Sequence, residues 1–238
     1  MVQRKFVVVQ GRRSRLVAES GTGRRSYRSQ LRESQARATR RAVVAAAAEL
    51  FVRDGYAATT LEDVAAAAGV SRSTVVNVAG GKATLLHLAW DWSLVGDDEP
   101  VPMAARPVVQ RIEATTDPAE AVRLWAEMVV EVAGRAAPIG RVLEVAADTD
   151  REAAELLATA DAERHQGARD FARHLDRTGG LAPGLSVRRA ADLLWLHNDP
   201  RLYRRLVVER GWSPREFADW LVRAVTASVL GAEPPLSR

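Results

Sequence analysis

The chain has 238 residues, no cysteine and a formal net charge of +4. That length can bury a sizeable core in one domain or two, and the lack of thiols excludes disulfides and thiolate-held metals. No apolar run is long enough to span a bilayer and the start lacks a signal-peptide layout, so the cytoplasm is the expected compartment, with no membrane partner. The positive charge is nearly all arginine, with Lys5 and Lys82 the only lysines. A high-GC genome explains such abundance as well as a nucleic-acid partner does, so placement is more informative than number. Residues 1–41 hold twelve basic side chains against Glu19 and Glu33, a net +10, which leaves −6 for the rest of the chain.

Residues 1–37 show no apolar period beyond Phe6-Val7-Val8-Val9, and Gly, Ser and Arg dominate them. Such a composition buries too little to offset chain entropy, and a disordered basic arm is expected. Two readings stay open. The arm neutralises nucleic-acid phosphates or lies in a minor groove, or it is a solvated tail or leader ahead of the folded protein.

The pattern sharpens over 38–95. Val43, Val44, Ala47, Leu50 and Phe51 make one helix face, closed by Asp54-Gly55-Tyr56. Leu61, Val64, Ala65 and Ala68 then fall at i, i+3, i+4 and i+7. Thr59 or Thr60 precedes them with Glu62 or Asp63 three positions on, a capping box. Gly69 suits a left-handed helix end. Val70 plugs the turn, and Ser71 can cap a second helix. Two short helices about a tight Gly turn, the second one polar, match the architecture that enters a DNA major groove; an ordinary αα-hairpin is the plainer alternative. A further helix is expected over about 83–94. Leu85, Leu88, Ala89 and Trp92 form one apolar edge of it and Leu86 and Trp90 another, which suits packing against two bodies.

From Arg40-Arg41 to Asp91 the sequence resembles the tetracycline-repressor (TetR) family of bacterial one-component regulators. The shared pattern is Leu50-Phe51, Gly55-Tyr56, Ala58-Thr59-Thr60, Val64-Ala65, Ala68-Gly69-Val70-Ser71, Thr74-Val75 and Gly81-Lys82-x-x-Leu85-Leu86. The chain departs from it at Val76, where the family usually has an aromatic, at Val78, often His, and at Ala79, usually Phe or another large apolar residue. The resemblance implies an all-α protein with an N-terminal three-helix helix-turn-helix DNA-binding domain, residues 38–95, and a helical effector-binding and dimerisation domain, residues 96–238. It also implies roles. Thr60 caps the second helix and offers its hydroxyl and amide to a phosphate. Arg72, Ser73 and Asn77 lie on the recognition helix, Thr74 packs or touches backbone, and Lys82 meets a phosphate. Arg72 is the side chain suited to a bidentate contact with guanine, and Asn77 to a pairing with adenine. For each polar residue the plainer reading is a solvated face.

Gly96 to Pro107 reads as a linker, with Asp97-Asp98-Glu99 and three prolines in a few residues. Helices are expected after it. Val122, Trp125, Ala126 and Val129 stripe one; Ile139 to Ala147 is a short second; a long one runs from about Arg151 to Asp176 and ends at Gly179-Gly180. Val187 to His197 is another. Asp199-Pro200 restarts a helix with an N-cap and a first-position proline, and Ser213-Pro214-Arg215-Glu216 opens the last as a capping box. The segment from Leu181 through Trp195, with Leu202-Tyr203 and Gly211-Trp212, more loosely resembles the effector domain of one branch of the family.

No Gly-rich phosphate loop, HExxH or nucleophile elbow is present, so no enzyme activity, cofactor or metal is expected. Asp161/His165 and Asp170/His174 are each spaced i, i+4, but at about 100° per residue the pairs point to opposite sides and cannot share an ion. Asp161 and His165 fall on the apolar stripe of their helix, and His197 on that of its own. Buried polar groups need partners, and apolar pockets with a few polar groups hold small ligands. One reading makes Asp161, His165 and His197 the handles of an effector pocket walled by Trp125, Met128, Phe171 and Trp195. The other is a mutually satisfied Asp161–His165 pair in the core. Together these features describe a DNA-binding transcriptional regulator, a ligand-responsive repressor with an unidentified small-molecule effector. The resemblance implies a homodimer formed through helices near 187–198 and 214–230, and a two-fold dimer would bind a palindromic double-stranded operator. The alternative is a helix-turn-helix protein without an effector, regulated by a protein or acting on the nucleoid.

Overall fold

The computed structural model describes residues 22–96 and 103–231. The apolar run at Phe6–Val9 and the linker residues Asp97 to Pro102 lie outside the described residues. Within them the protein is all-α. Helix α1 covers Thr22–Asp54, so residues 22–37, expected to lack structure in isolation, are helical. The described residues fall into two units that divide between Arg40 and Arg41. In the first, the side chains described up to Ala38 are exposed. In the second, α1 buries Val43, Val44, Ala47, Leu50 and Phe51, the expected face.

Helices α2 (Leu61–Ala67) and α3 (Arg72–Ala79) follow the anticipated caps. Thr60 and Asp63 form the capping box, and Ser71 caps α3 by accepting from the Thr74 amide at 3.1 Å. Gly69 makes the turn between them at φ +66°, a left-handed conformation that L side chains resist. Helix α4 spans Lys82–Val95. Its expected two edges are both buried, Leu85 and Ala89 on one and Leu86 and Trp90 on the other.

Helix α5 (Pro107–Ala114) is followed by α6 (Pro118–Ala147), one 30-residue helix where two were expected. Pro138 lies inside it. An interior proline removes a hydrogen bond and costs ~3 kcal/mol or more, which is why the sequence read as a break. Burial of Ala133, Ala136, Ala137, Ile139, Val142 and Leu143 on both sides of the proline offsets that cost. Helices α7 (Arg151–Arg177) and α8 (Val187–His197) match their expected spans. Helix α9 (Pro200–Tyr203) continues into a π-helical turn at Arg204–Glu209, and α10 (Pro214–Val225) into another at Thr226–Leu230.

Two apolar cores result. The first joins α1–α4 to Ala136, Ile139, Val142, Leu143 and Ala146 of α6 and Ala153 of α7. The second lies among α5–α8, Tyr203 and α10. The helix-turn-helix therefore does not close its core alone: the middle of α6 completes it. Helices α4 and α6 come close at Gly140, where a Cβ would stand 3.2 Å from the Trp90 ring. No described helix is long and apolar enough to cross a membrane.

Candidate DNA interface and effector cleft

The α2–α3 pair presents short polar side chains whose hydrogen bonds close locally. Thr60 donates its hydroxyl to Asp63 Oδ2 at 2.6 Å and its amide to the same oxygen at 2.9 Å. These bonds hold the Asp63 carboxyl below its usual range. Both Thr60 groups expected to face a phosphate are thus occupied within the capping box. On α3, Ser71 Oγ lies 2.8 Å from both Ser73 Oγ and Thr74 Oγ1. Arg72 pairs with Glu62 of α2, and both side chains are more than half exposed. Asn77 is exposed, while Thr74, Val76 and Val78 are half-buried. The polar face of α3 is thus open, and its guanidinium is held only by a solvent-screened carboxylate, worth at most about 1 kcal/mol.

Lys82 is turned inward. Its Nζ donates to the Tyr56 carbonyl at 2.9 Å and sits 4.4 Å from the Tyr56 ring centroid. The Tyr56 hydroxyl donates to Asp150 Oδ2 at 2.8 Å. Asp150 also caps α7, its Oδ1 accepting from the amides of Glu152 and Ala153. At the far end of α4, Arg135 of α6 donates to the carbonyls of Ser93 at 3.1 Å and Leu94 at 2.9 Å. Asp150 is legible in the sequence as an N-cap and Tyr56 as a helix-end aromatic. Nothing in their spacing pairs them across 94 positions.

The pocket residues expected from the sequence divide into three places. Asp161, His165 and Trp195 line a cleft of about 610 Å³ between α7 and α8, together with Ala158, Ala162, Asp192, Leu193 and Leu196. Trp125 and Phe171 stack at 5.4 Å inside the second core, with Met128 packed on its edge. His197 donates from Nδ1 to the Leu193 carbonyl oxygen at 2.7 Å, which fixes the proton on Nδ1 because that oxygen can only accept. Its ring lies 6.0 Å from that of Trp220. The mutual Asp161–His165 pair does not form. Asp161 accepts from Arg164 at 2.6 Å, and His165 Nε2 lies 3.1 Å from Asp192 Oδ1. Helical spacing placed both on the apolar stripe, but at this height α7 faces the opening beside α8, so they are only half-buried. Arg164 also donates to Asn198 Oδ1 at 2.9 Å and lies 4.8 Å over the Trp195 ring. The Trp195 indole N–H is buried with no acceptor. No group of three or more His, Asp or Glu among the described residues could hold a metal ion.

Residues 43–89 match the family model for bacterial regulatory proteins of the tetR family. That stretch of the chain is a tetR-type DNA-binding domain, of the kind that bacterial regulatory proteins carry. Solved structures share the fold over most of the chain. The SmeT–triclosan complex is 19% identical, covering 84% of this chain and 100% of that one at a TM-score of 0.63. NalD of Pseudomonas aeruginosa, the secondary repressor of the MexAB-OprM multidrug efflux pump, is 23% identical, covering 81% and 95% at 0.59. The TetR regulator TylP of Streptomyces fradiae is 20% identical, covering 81% and 86% at 0.56. No curated protein matches the sequence.

Proposed function

We propose that the protein is a TetR-family regulator, a ligand-responsive repressor that binds a near-palindromic operator as a homodimer. The observation that carries the reading is the pairing, in one chain, of an open α3 face with a mostly apolar cleft that Asp161, His165 and Asp192 also line. On α3, Arg72 exchanges the Glu62 carboxylate for a guanine edge. Ser73, Thr74 and Asn77 make the flanking contacts, and Thr60 and Lys82 meet phosphates by giving up their bonds to Asp63 and the Tyr56 carbonyl. In the cleft, Asp161 and His165 are the polar handles of an effector site lined by Trp195, with Trp125, Met128 and Phe171 as the packed wall behind α7. The effector needs an apolar body and a polar group for Asp161 or His165; SmeT, solved with triclosan, supports a small molecule.

The dimer surface is α8 with α10. Leu196 is 53% exposed there, and Leu193, His197 and Trp220 are half-buried beside it. A second copy of the chain about a two-fold axis would cover this face and place two reading heads on half-sites about one helical turn apart. Effector binding would favour a different head spacing, and DNA would then weaken the effector by the same factor as the effector weakens DNA.

The test is fluorescence anisotropy of the full chain on duplex DNA from upstream of its own gene and on a scrambled duplex, at two salt concentrations. Preference for the upstream duplex supports the reading and supplies the assay for effectors. Equal, steeply salt-dependent binding to both would reject a specific operator there and point to counterion release by the basic residues 1–41.

A further inference from the structure

The reading head is attached to the rest of the chain by two kinds of contact. The first is apolar: α4 lies on α6 through Leu85, Leu86, Ala89 and Trp90, with Trp90 seated on Gly140. Apolar contact is non-directional, so it holds the head close without fixing its angle. The second kind is directional, at the two ends of α4. Arg135 grips the last carbonyls of α4. At the other end, Lys82 donates to the Tyr56 carbonyl, and Tyr56 donates to Asp150 at the start of α7.

We propose that Lys82, Tyr56 and Asp150 form a positioning relay that fixes the angle of the reading head on α7. This rests on the DNA-reading role of α3, and not on the dimer or the effector cleft.

The chemistry of each member fits the role. Tyr56 is 8% exposed and its ring packs on Phe51, so the hydroxyl has one fixed direction. Burial first, and the Asp150 carboxylate next, push the Tyr56 hydroxyl above its ordinary value, which keeps it a donor. Asp150 stays ionised, held low chiefly by the Ala153 amide and then by Tyr56. Its two oxygens have separate tasks: Oδ1 caps α7 and Oδ2 receives Tyr56. Lys82 joins the relay to the DNA side, since the ammonium that holds the Tyr56 carbonyl is also the one assigned to a phosphate. A phosphate drawing on Lys82 therefore acts on the same carbonyl that orients Tyr56. Helix α7, whose first turn the relay holds, carries Asp161 and His165 in its middle.

Two substitutions separate positioning from stability. Tyr56→Phe keeps the ring against Phe51 and under Lys82 while removing the donor. Asp150→Ser keeps a helix cap, since Ser caps about as well as Asp, but its shorter side chain has a single oxygen, which caps α7 and does not reach Tyr56. The chain lacks cysteine, so Ala67→Cys on α2 and Arg173→Cys on α7, both exposed, can carry a spin-label pair. Labelled full-length chain is diluted into excess unlabelled chain so that only distances within one protomer are read by pulsed electron resonance, without DNA. The parent should give one narrow distance distribution. Each single variant should shift or broaden it, and the double variant should match the singles rather than add to them, with cooperative unfolding kept. Distributions identical to the parent's in both variants would overturn the relay. So would a change seen only where cooperative unfolding is lost. Failure of the parent to prefer any DNA would instead strike the regulator reading and leave these distances standing.

Discussion

The α2–α3 pair and the α7–α8 cleft are both helix pairs with polar side chains at their mouths, yet they satisfy those side chains differently. In α2–α3 the hydrogen bonds close within a few positions, Thr60 with Asp63 and Ser71 with Ser73 and Thr74, and of the named polar contacts only the exposed Arg72–Glu62 ion pair joins the two helices. In the cleft the bonds run from α7 to α8 and beyond it, His165 to Asp192 and Arg164 to Trp195 and Asn198. A site built from local bonds is carried by the chain wherever it goes. A site built from distant bonds exists only while two helices keep their register. The first kind suits a module that must dock rigidly on DNA. The second suits a site whose occupation has to be felt elsewhere.

The comparison breaks most easily at the core the two regions depend on. Leu143 is fully buried in the core that α6 completes for the reading head. Leu143→Ala should cost about 2–5 kcal/mol. Urea unfolding followed by circular dichroism and by tryptophan fluorescence should move together, because the head has no closed core of its own. Separate transitions would show that α1–α4 fold independently.

A smaller effect should isolate the reading face. Arg72→Ala should lose about 1–3 kcal/mol of discrimination at one base pair per half-site. Competition binding against a set of single-base operator variants measures it. Equal weakening on every sequence would make Arg72 a phosphate contact.

The third effect depends on pH and belongs to the body alone. His174 is buried, and its Nε2 has no partner. Burial first, then Arg177, hold its pKa below the ordinary imidazole value of 6.5. The unfolded chain therefore takes up a proton before the folded one as pH falls. The contribution is fully present above about pH 6.5 and is lost as pH drops towards the folded-state value. Urea midpoints measured from neutral to mildly acidic pH should decline, and His174→Phe should flatten that decline. Parallel profiles would assign the acid sensitivity to other groups.

The smallest effect on stability should fall in the cleft. His165 is part-exposed and paired with Asp192, so His165→Leu should leave stability within about 0.5 kcal/mol. The response of DNA binding to an effector should be lost. Unchanged induction would remove His165 from the effector site.

The sequence by itself determined most of the helices and where they start. Thr60, Ser71, Asp117, Asp150, Ser186, Asp199 and Ser213 each cap the helix that follows, because a cap is a contact between near neighbours. It determined the buried stripes too, since the 3.6 period writes a helix face directly into the chain. It carried the family through residues 43–89, where turn, cap and plug follow at fixed spacing. Only the tertiary structure decided what depends on distant packing. It let α6 run through Pro138, because burial on both sides outweighs one lost hydrogen bond. It sent His165 to Asp192 instead of Asp161, put Trp125 and Phe171 in a core apart from the cleft, and joined Tyr56 to Asp150. Periodicity states which way a side chain points from its own helix. Which helix meets it there is set by the packing of the whole chain.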